Sequence, residues 1–128
     1  IAGILSRVMG GSSGVLLSIF FNAAGTGLAA GQSWPRAWMT GLERMQEYGG
    51  AYLGDRTMLD ALHPALLSLE SEGLKTAAGA ARQGAATTAG MKTARSGRSA
   101  HVPEEHLQGV TDPGAEAVAR VFEALVKA

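Results

Sequence analysis

Apolar residues recur along this chain at intervals of three and four, a spacing that predicts helices. Ile1 to Met9 (IAGILSRVM) reads as the last turns of a helix, with no N-cap before its apolar residues. Gly10-Gly11-Ser12-Ser13-Gly14 interrupts it. A second helix is predicted from about Ser13 to Ala24, with Gly25, Gly27 and Gly31 around its end. Ser33-Trp34-Pro35 supplies a serine N-cap and a first-turn proline, whose missing N–H costs nothing there. The stripe that follows, Trp34, Trp38, Gly41, Leu42, Met45 and Tyr48, stops at Gly49-Gly50. Thr57 to Asp60 resembles a capping box, with the acidic group reaching back. Met58, Ala61, Leu62, Ala65, Leu66 and Leu69 form the next buried face, and Pro64 should bend that helix. A further helix, about Leu74 to Arg95, is built almost entirely of small residues and suits close approach to its neighbours. A loop from about Ser96 to Thr111, with one short turn near Glu104 to Gln108, leads to Asp112-Pro113. That pair is an N-cap and N1, and Val118, Val121, Phe122 and Leu125 are the predicted inner face of the last helix. No segment alternates long enough for a strand. The expectation is a single all-α domain over residues 1–128, an antiparallel up-and-down bundle of about five or six helices.

Composition narrows the chemistry. The chain has 128 residues, enough to bury a core, and 46% of them are hydrophobic. Eleven basic residues balance eleven acidic ones, which argues against a nucleic-acid or anionic-membrane surface. There is no cysteine, so disulfides, zinc ribbons and thiol catalysis are excluded, and a reducing cytoplasm fits. The most apolar run, Val15 to Phe21, is too short to span a bilayer even when extended through Ala24, and it lacks the flanks of a signal peptide. No two of His63, His101 and His106 have a metal-binding spacing, and there is no GxSxG elbow.

Four segments carry more than a turn requires. In Gly10-Gly11-Ser12-Ser13-Gly14, glycines and a following helix start suit an anion, although a glycine C-cap followed by a serine N-cap explains the same residues. In Gly54-Asp55-Arg56-Thr57-Met58, capping accounts for Asp55 and Thr57 and the core for Met58, but neither accounts for Arg56. Arg98, after Gly97, either neutralises a helix end or holds a phosphate. Helix-start chemistry alone explains Asp112-Pro113-Gly114.

In order, MGGSSG, EYGG, GDRTMLDAL-x-PAL, a small-residue helix with Thr88 and Met91, GR and DPGA resemble the nucleotide-binding L domain (DhaL type) of dihydroxyacetone kinases, from about Met9 to the C-terminus. The resemblance implies a closed antiparallel barrel of eight helices, about six of them represented here, with a nucleotide capping one end. It implies that Gly11, Ser12 and Ser13 contact phosphate, and that Gly49 and Met58, with Thr57 beside it, flank the adenine. Arg98 and the turn of Asp112, Pro113 and Gly114 complete the pocket. The implied cofactors are ATP or ADP and two magnesium ions.

The family's GDGD[TC]G magnesium segment has no counterpart here, and no D-x-D occurs in the chain. Its aspartates are expected upstream of Ile1, which leaves no metal ligand and no catalytic residue in the chain as given and implies that it is inactive alone. The resemblance also implies a separate K domain or subunit that holds dihydroxyacetone through a histidine. Other readings are a form in which a phosphocarrier protein recharges bound ADP, a fatty-acid-kinase nucleotide domain, and a non-catalytic helical assembly module. A homo-oligomer is left open.

Overall fold

Helix is the only regular structure among the described residues, which in this computed structural model are 1–8, 11–95 and 98–128. The helices are α1 (Ala2–Val8), α2 (Gly11–Ala29), α3 (Trp34–Gly49), α4 (Leu59–Glu72), α5 (Leu74–Thr88), the single turn α6 (Glu104–Leu107) and α7 (Pro113–Lys127). A 3₁₀ turn spans Arg98–His101. They fall into two compact units, Ile1–Gly50 and Ala51–Ala128.

In the first unit, α2 differs from expectation. It is already helical at Gly11, so Gly11 to Gly14 form its first turn and not a loop, and it runs through Gly25 and Gly27 to Ala29. Met9 and Gly10 lie outside the described residues. A glycine costs a helix only about 1 kcal/mol relative to alanine, and packing can outweigh that. At Gly27 a β-carbon would lie 2.1 Å from Gln32 Oε1 and 3.6 Å from Ala37 Cα, so the bare backbone lets the next segment come close. The helix stops at Gly31, whose φ is 91°. There, Gln32 N donates to Gly27 O and Gly31 N to Leu28 O, a Schellman closure.

At its observed length, α2 is long and apolar enough, by those two measures alone, to cross a membrane. Ser12–Ala29 has a mean hydropathy of 1.3, which corrects the shorter run read from the sequence. Within the unit the helix buries Phe20, Ala24 and Gly27. A β-carbon on Gly41 would lie 2.6 Å from Phe20 O, and one on Gly49 would lie 2.9 Å from Leu16 Cδ2. The pairs 27/37, 20/41 and 16/49 make α2 and α3 antiparallel. Ser18 Oγ donates to Ala2 O, and α1 packs on α2 in the same sense.

Ser33 caps α3 as predicted, accepting from Arg36 N, and Gly50 ends it at φ 67°. Its buried face is Ala37, Gly41, Leu42 and Met45. Trp34 and Tyr48, expected on that face, are exposed, because they lie in the first and last turns of the helix. Trp38 stacks on Phe20, with ring centroids 5.6 Å apart.

In the second unit a single residue, Gly73, separates α4 from α5. A β-carbon on Gly84 would lie 2.1 Å from Asp60 O, so the late part of α5 crosses the start of α4. α7 returns along α5, with Thr88 beside Asp112 and Arg82 beside Glu116 and Glu123. One boundary and one buried face are corrected. The small-residue helix ends at Thr88 and not near Arg95, because its last carbonyls are taken by other partners. Thr88 O accepts from Arg56 and Met91 N, and Ala89 O accepts from Gly109 N, so the helical ladder has nothing to continue onto. The buried face of α7 is Ala115, Ala119 and Phe122, while Val121 and Leu125 are exposed. The small residues face the alanine-rich α5 because only they let two helices approach so closely.

Candidate functional site

The segment 54–60 is shaped by one carboxylate. Asp60, 4% exposed, accepts from Gly54 N at 2.6 Å and from Thr57 N at 2.8 Å. Thr57 Oγ1 accepts in turn from Leu59 N, so the capping box forms with its hydroxyl half one residue early. Asp55 accepts from Tyr52 N, and its carbonyl accepts from Arg95 N. This wrapping forces Arg56 to φ 62°, a left-handed conformation that costs a residue with a β-carbon roughly 1–3 kcal/mol.

The strain turns Arg56 inward. Its side chain is 1% exposed, and its Nε donates to Thr88 O at 3.2 Å. Its Nη2 donates to Leu107 O at 3.3 Å and to Val110 O. Among the described residues Nη1 makes no hydrogen bond, and it faces Asp112 Oδ1 at 3.8 Å, an ion-pair distance. Asp112 is equally committed. Its backbone N–H donates to Thr88 Oγ1 at 2.8 Å, Oδ2 accepts from Ala115 N at 3.0 Å, and Oδ1 accepts from Ser99 Oγ at 3.4 Å. Thr88 Oγ1 completes the relay by donating to Ala85 O. A buried guanidinium is tolerable only when it is matched in this way.

Among the residues predicted as a site, the structure brings Met58 and the 112–114 turn together. A β-carbon on Gly114 would lie 3.2 Å from Met58 Cβ, 3.2 Å from Asp112 Oδ2 and 3.5 Å from Met58 N. Met58 and Thr57 are half-buried, and Pro113 is exposed at the start of α7. In the first unit, Ser12 is exposed and Ser13 half-buried in the first turn of α2. Gly49, at the end of α3, packs on Leu16, one turn further along α2. Arg98 opens the 3₁₀ turn after Gly97, which lies outside the described residues, as does the Arg98 side chain. An open groove of about 340 Å³ in the first unit, lined by Asn22, Thr26, Thr40, Arg44 and Tyr48, is touched by none of the predicted residues.

Sequence reasoning left Arg56 between structure and function and did not assign Thr88 to the site. The signal for Arg56 was present as a cation that capping did not require. Thr88 stands in the motif order only as part of the small-residue helix, and the link from its hydroxyl to the 112–114 turn, 24 residues away, has no local signal.

Methionine beside a glycine turn suits a flat apolar ring, and a helix start leaves its first N–H groups free of intrahelical acceptors. A nucleotide therefore fits the residues present. Among the described residues no three His, Asp or Glu side chains come together as a metal-ligand group.

The fold and this turn cluster define an all-helical domain in which a buried arginine and a capping aspartate sit behind a half-exposed methionine. Residues 1–127 match the DAK2 domain family, and the chain belongs to it. It is 50% identical over 125 residues to a dihydroxyacetone kinase of Citrobacter freundii, covering 96% of this chain and 23% of that protein. It is 39% identical over 136 residues to a triokinase/FMN cyclase of Homo sapiens, covering 97% of this chain and 23% of that one. The crystal structure of the C. freundii dihydroxyacetone kinase in its native form matches with a TM-score of 0.83 at 47% identity, over 98% of this chain and 22% of that one. The same enzyme in complex with AMP-PNP and Mg2+ matches with a TM-score of 0.81 at 47% identity, over 98% and 21%. The chain thus spans about a quarter of the length of the curated relatives it matches.

Proposed function

We propose that residues 1–128 form a nucleotide-binding domain of a dihydroxyacetone kinase, in which bound ATP supplies the phosphoryl group to dihydroxyacetone held on a K domain or subunit. The observation that carries this reading is the 50% identity, across 96% of the chain, to a protein named dihydroxyacetone kinase. The match to that enzyme's structure with AMP-PNP and Mg2+ supports nucleotide as the ligand. A cytoplasmic setting goes with this reading.

The chain's own residues divide the work by chemistry. Ser12 and Ser13 donate hydroxyls to phosphate, joined by the N–H groups at the start of α2. Arg98 adds a charge-assisted contact to phosphate. In the second unit, Thr57 and Met58 flank the base, and the 112–114 turn closes on it. ATP is favoured as donor over a phosphocarrier because the matched structure of the C. freundii enzyme is a complex with AMP-PNP, an ATP analogue, and Mg2+.

The test is calorimetry of AMP-PNP with Mg2+ on the polypeptide as the organism makes it. Arg98→Ala is expected to weaken binding about tenfold, or about 1.4 kcal/mol, with an unchanged helical signal. Unchanged affinity removes Arg98 from the site, and absence of dihydroxyacetone-dependent ATP consumption overturns the kinase reading.

A further inference from the structure

Arg56 is held at a cost. It occupies a left-handed backbone conformation, it is buried, and Nη1 lacks a hydrogen bond among the described residues. Buried ion pairs are weak sources of stability, because apolar residues of similar volume often serve as well or better. What an apolar residue would not supply is direction. The guanidinium gathers three carbonyls from two separate segments: Thr88 at the end of α5, and Leu107 and Val110 in the turn between α6 and α7. It pairs with Asp112, the residue that caps α7 and opens the 112–114 turn. Two residues after Arg56 comes Met58, whose Cβ lies 3.2 Å from where a β-carbon on Gly114 would sit. Arg56 therefore ties the strand of chain that presents Met58 to the turn that presents Gly114.

We propose that Arg56 is a positioning residue for base recognition: without touching the nucleotide, it holds the 112–114 turn against Met58 so that the two grip the base together. The inference rests on the reading that these two elements flank the base.

The experiment uses the native polypeptide carrying Arg56→Gly. Glycine relieves the left-handed strain while removing the guanidinium, so the turn can keep its path without its anchor. Two probes are compared well below the melting temperature: AMP-PNP with Mg2+, by calorimetry, and inorganic tripolyphosphate, as a competitor that has no base. The expected result is an AMP-PNP Kd raised tenfold or more at near-native stoichiometry, with the tripolyphosphate constant changed less than threefold. A stoichiometry that falls while Kd stays constant marks a merely structural residue and overturns the proposal. Equal weakening of both probes, or an AMP-PNP Kd within twofold of the parent, overturns it as well. Arg56→Lys keeps the charge but not the planar fork, and serves if the glycine variant does not fold. At least a fivefold rise in the AMP-PNP Kd alone is then expected, and failure of both variants to fold refutes positioning as the role. Met58→Ala separates the two levels. If it leaves AMP-PNP binding intact, the reading of the site fails. If it weakens AMP-PNP selectively while Arg56→Gly does not, the positioning role alone fails.

Discussion

Asp60 organises more of the second unit than its position near a helix start suggests. Its two oxygens hold Gly54 N and Thr57 N, and through them the loop that turns Arg56 inward. A charged acceptor of this kind contributes about 1.5–3 kcal/mol per hydrogen bond, and both bonds are partly shielded from water. Asp60→Ala is therefore expected to cost about 3 kcal/mol by urea denaturation, and Asp60→Asn, which retains one acceptor oxygen, roughly half of that. A loss under about 0.5 kcal/mol for the alanine variant would show that the loop has another anchor. The acid's reach back to Thr57 is a local pattern and was legible in the sequence. The destination of Arg56 was not, because its carbonyl partners lie 32, 51 and 54 residues away and share no local motif with it. Long-range pairing also explains why Asp112 reads as a simple N-cap yet serves as an ion-pair partner.

Helix starts were legible where side chains cap them, at Ser33 and Asp112, because capping is a contact within three residues. Helix ends were less so. Glycine reads as a stop at Gly25 and Gly27, yet α2 runs through both, and of the two only Gly27 has a neighbour, Gln32, that a β-carbon would crowd. No stop is legible at Thr88, where distant donors take the carbonyls. Gly84 shows the same principle at its tightest. Residue 64 is proline and has no N–H to offer Asp60 O, the carbonyl four residues before it. α5 lays Gly84 against that carbonyl, leaving 2.1 Å where a β-carbon would go. Gly84→Ala gains helix propensity of about 1 kcal/mol, yet α4 and α5 must separate to admit it. The expected net change is a loss of about 2 kcal/mol or more in chemical denaturation, and a stabilised variant would refute the close crossing. The α5–α7 contact adds a pH dependence. Hydrogen bonds from Arg82, then from Arg120, hold the Glu116 carboxyl below the ordinary carboxylate range, and one from Arg82 does the same for Glu123. The unfolded chain takes up protons first as pH falls, so this stabilisation is present above about 4.5 and is lost as pH drops through the lower folded values. Arg82→Met should flatten the fall in melting temperature from about pH 5 to about pH 3. Parallel curves for variant and parent would show that the pairing does not contribute.

At the scale of the whole molecule, fold class was the most legible property, since period and composition both speak for helix and against strand. Family membership came from the order of short motifs, each ambiguous by itself. Which faces of those helices remain uncovered was not legible, because a periodic apolar stripe shows that a face is buried somewhere without showing against what. α1 makes the point. Ile1, Ile4 and Val8 recur at helical spacing on one side, yet they are 78%, 56% and 71% exposed. Val15 on α2 is also exposed. A stripe of large aliphatic residues open to water favours association, since each side chain removed from water contributes about 1.5–3 kcal/mol. The 1–128 chain carries formal charges that sum to zero, so repulsion between copies offers little resistance. We expect the chain by itself to self-associate in sedimentation experiments between about 5 and 200 µM, with weight-average mass rising with concentration. Ile4→Lys combined with Val8→Glu leaves the net charge unchanged and places two charges one helical turn apart on that face. The double variant should stay monomeric over the same range with its helical signal intact. A parent chain that already sediments as a monomer at every concentration would mean that the α1 stripe is covered in solution, and that its exposure does not drive assembly.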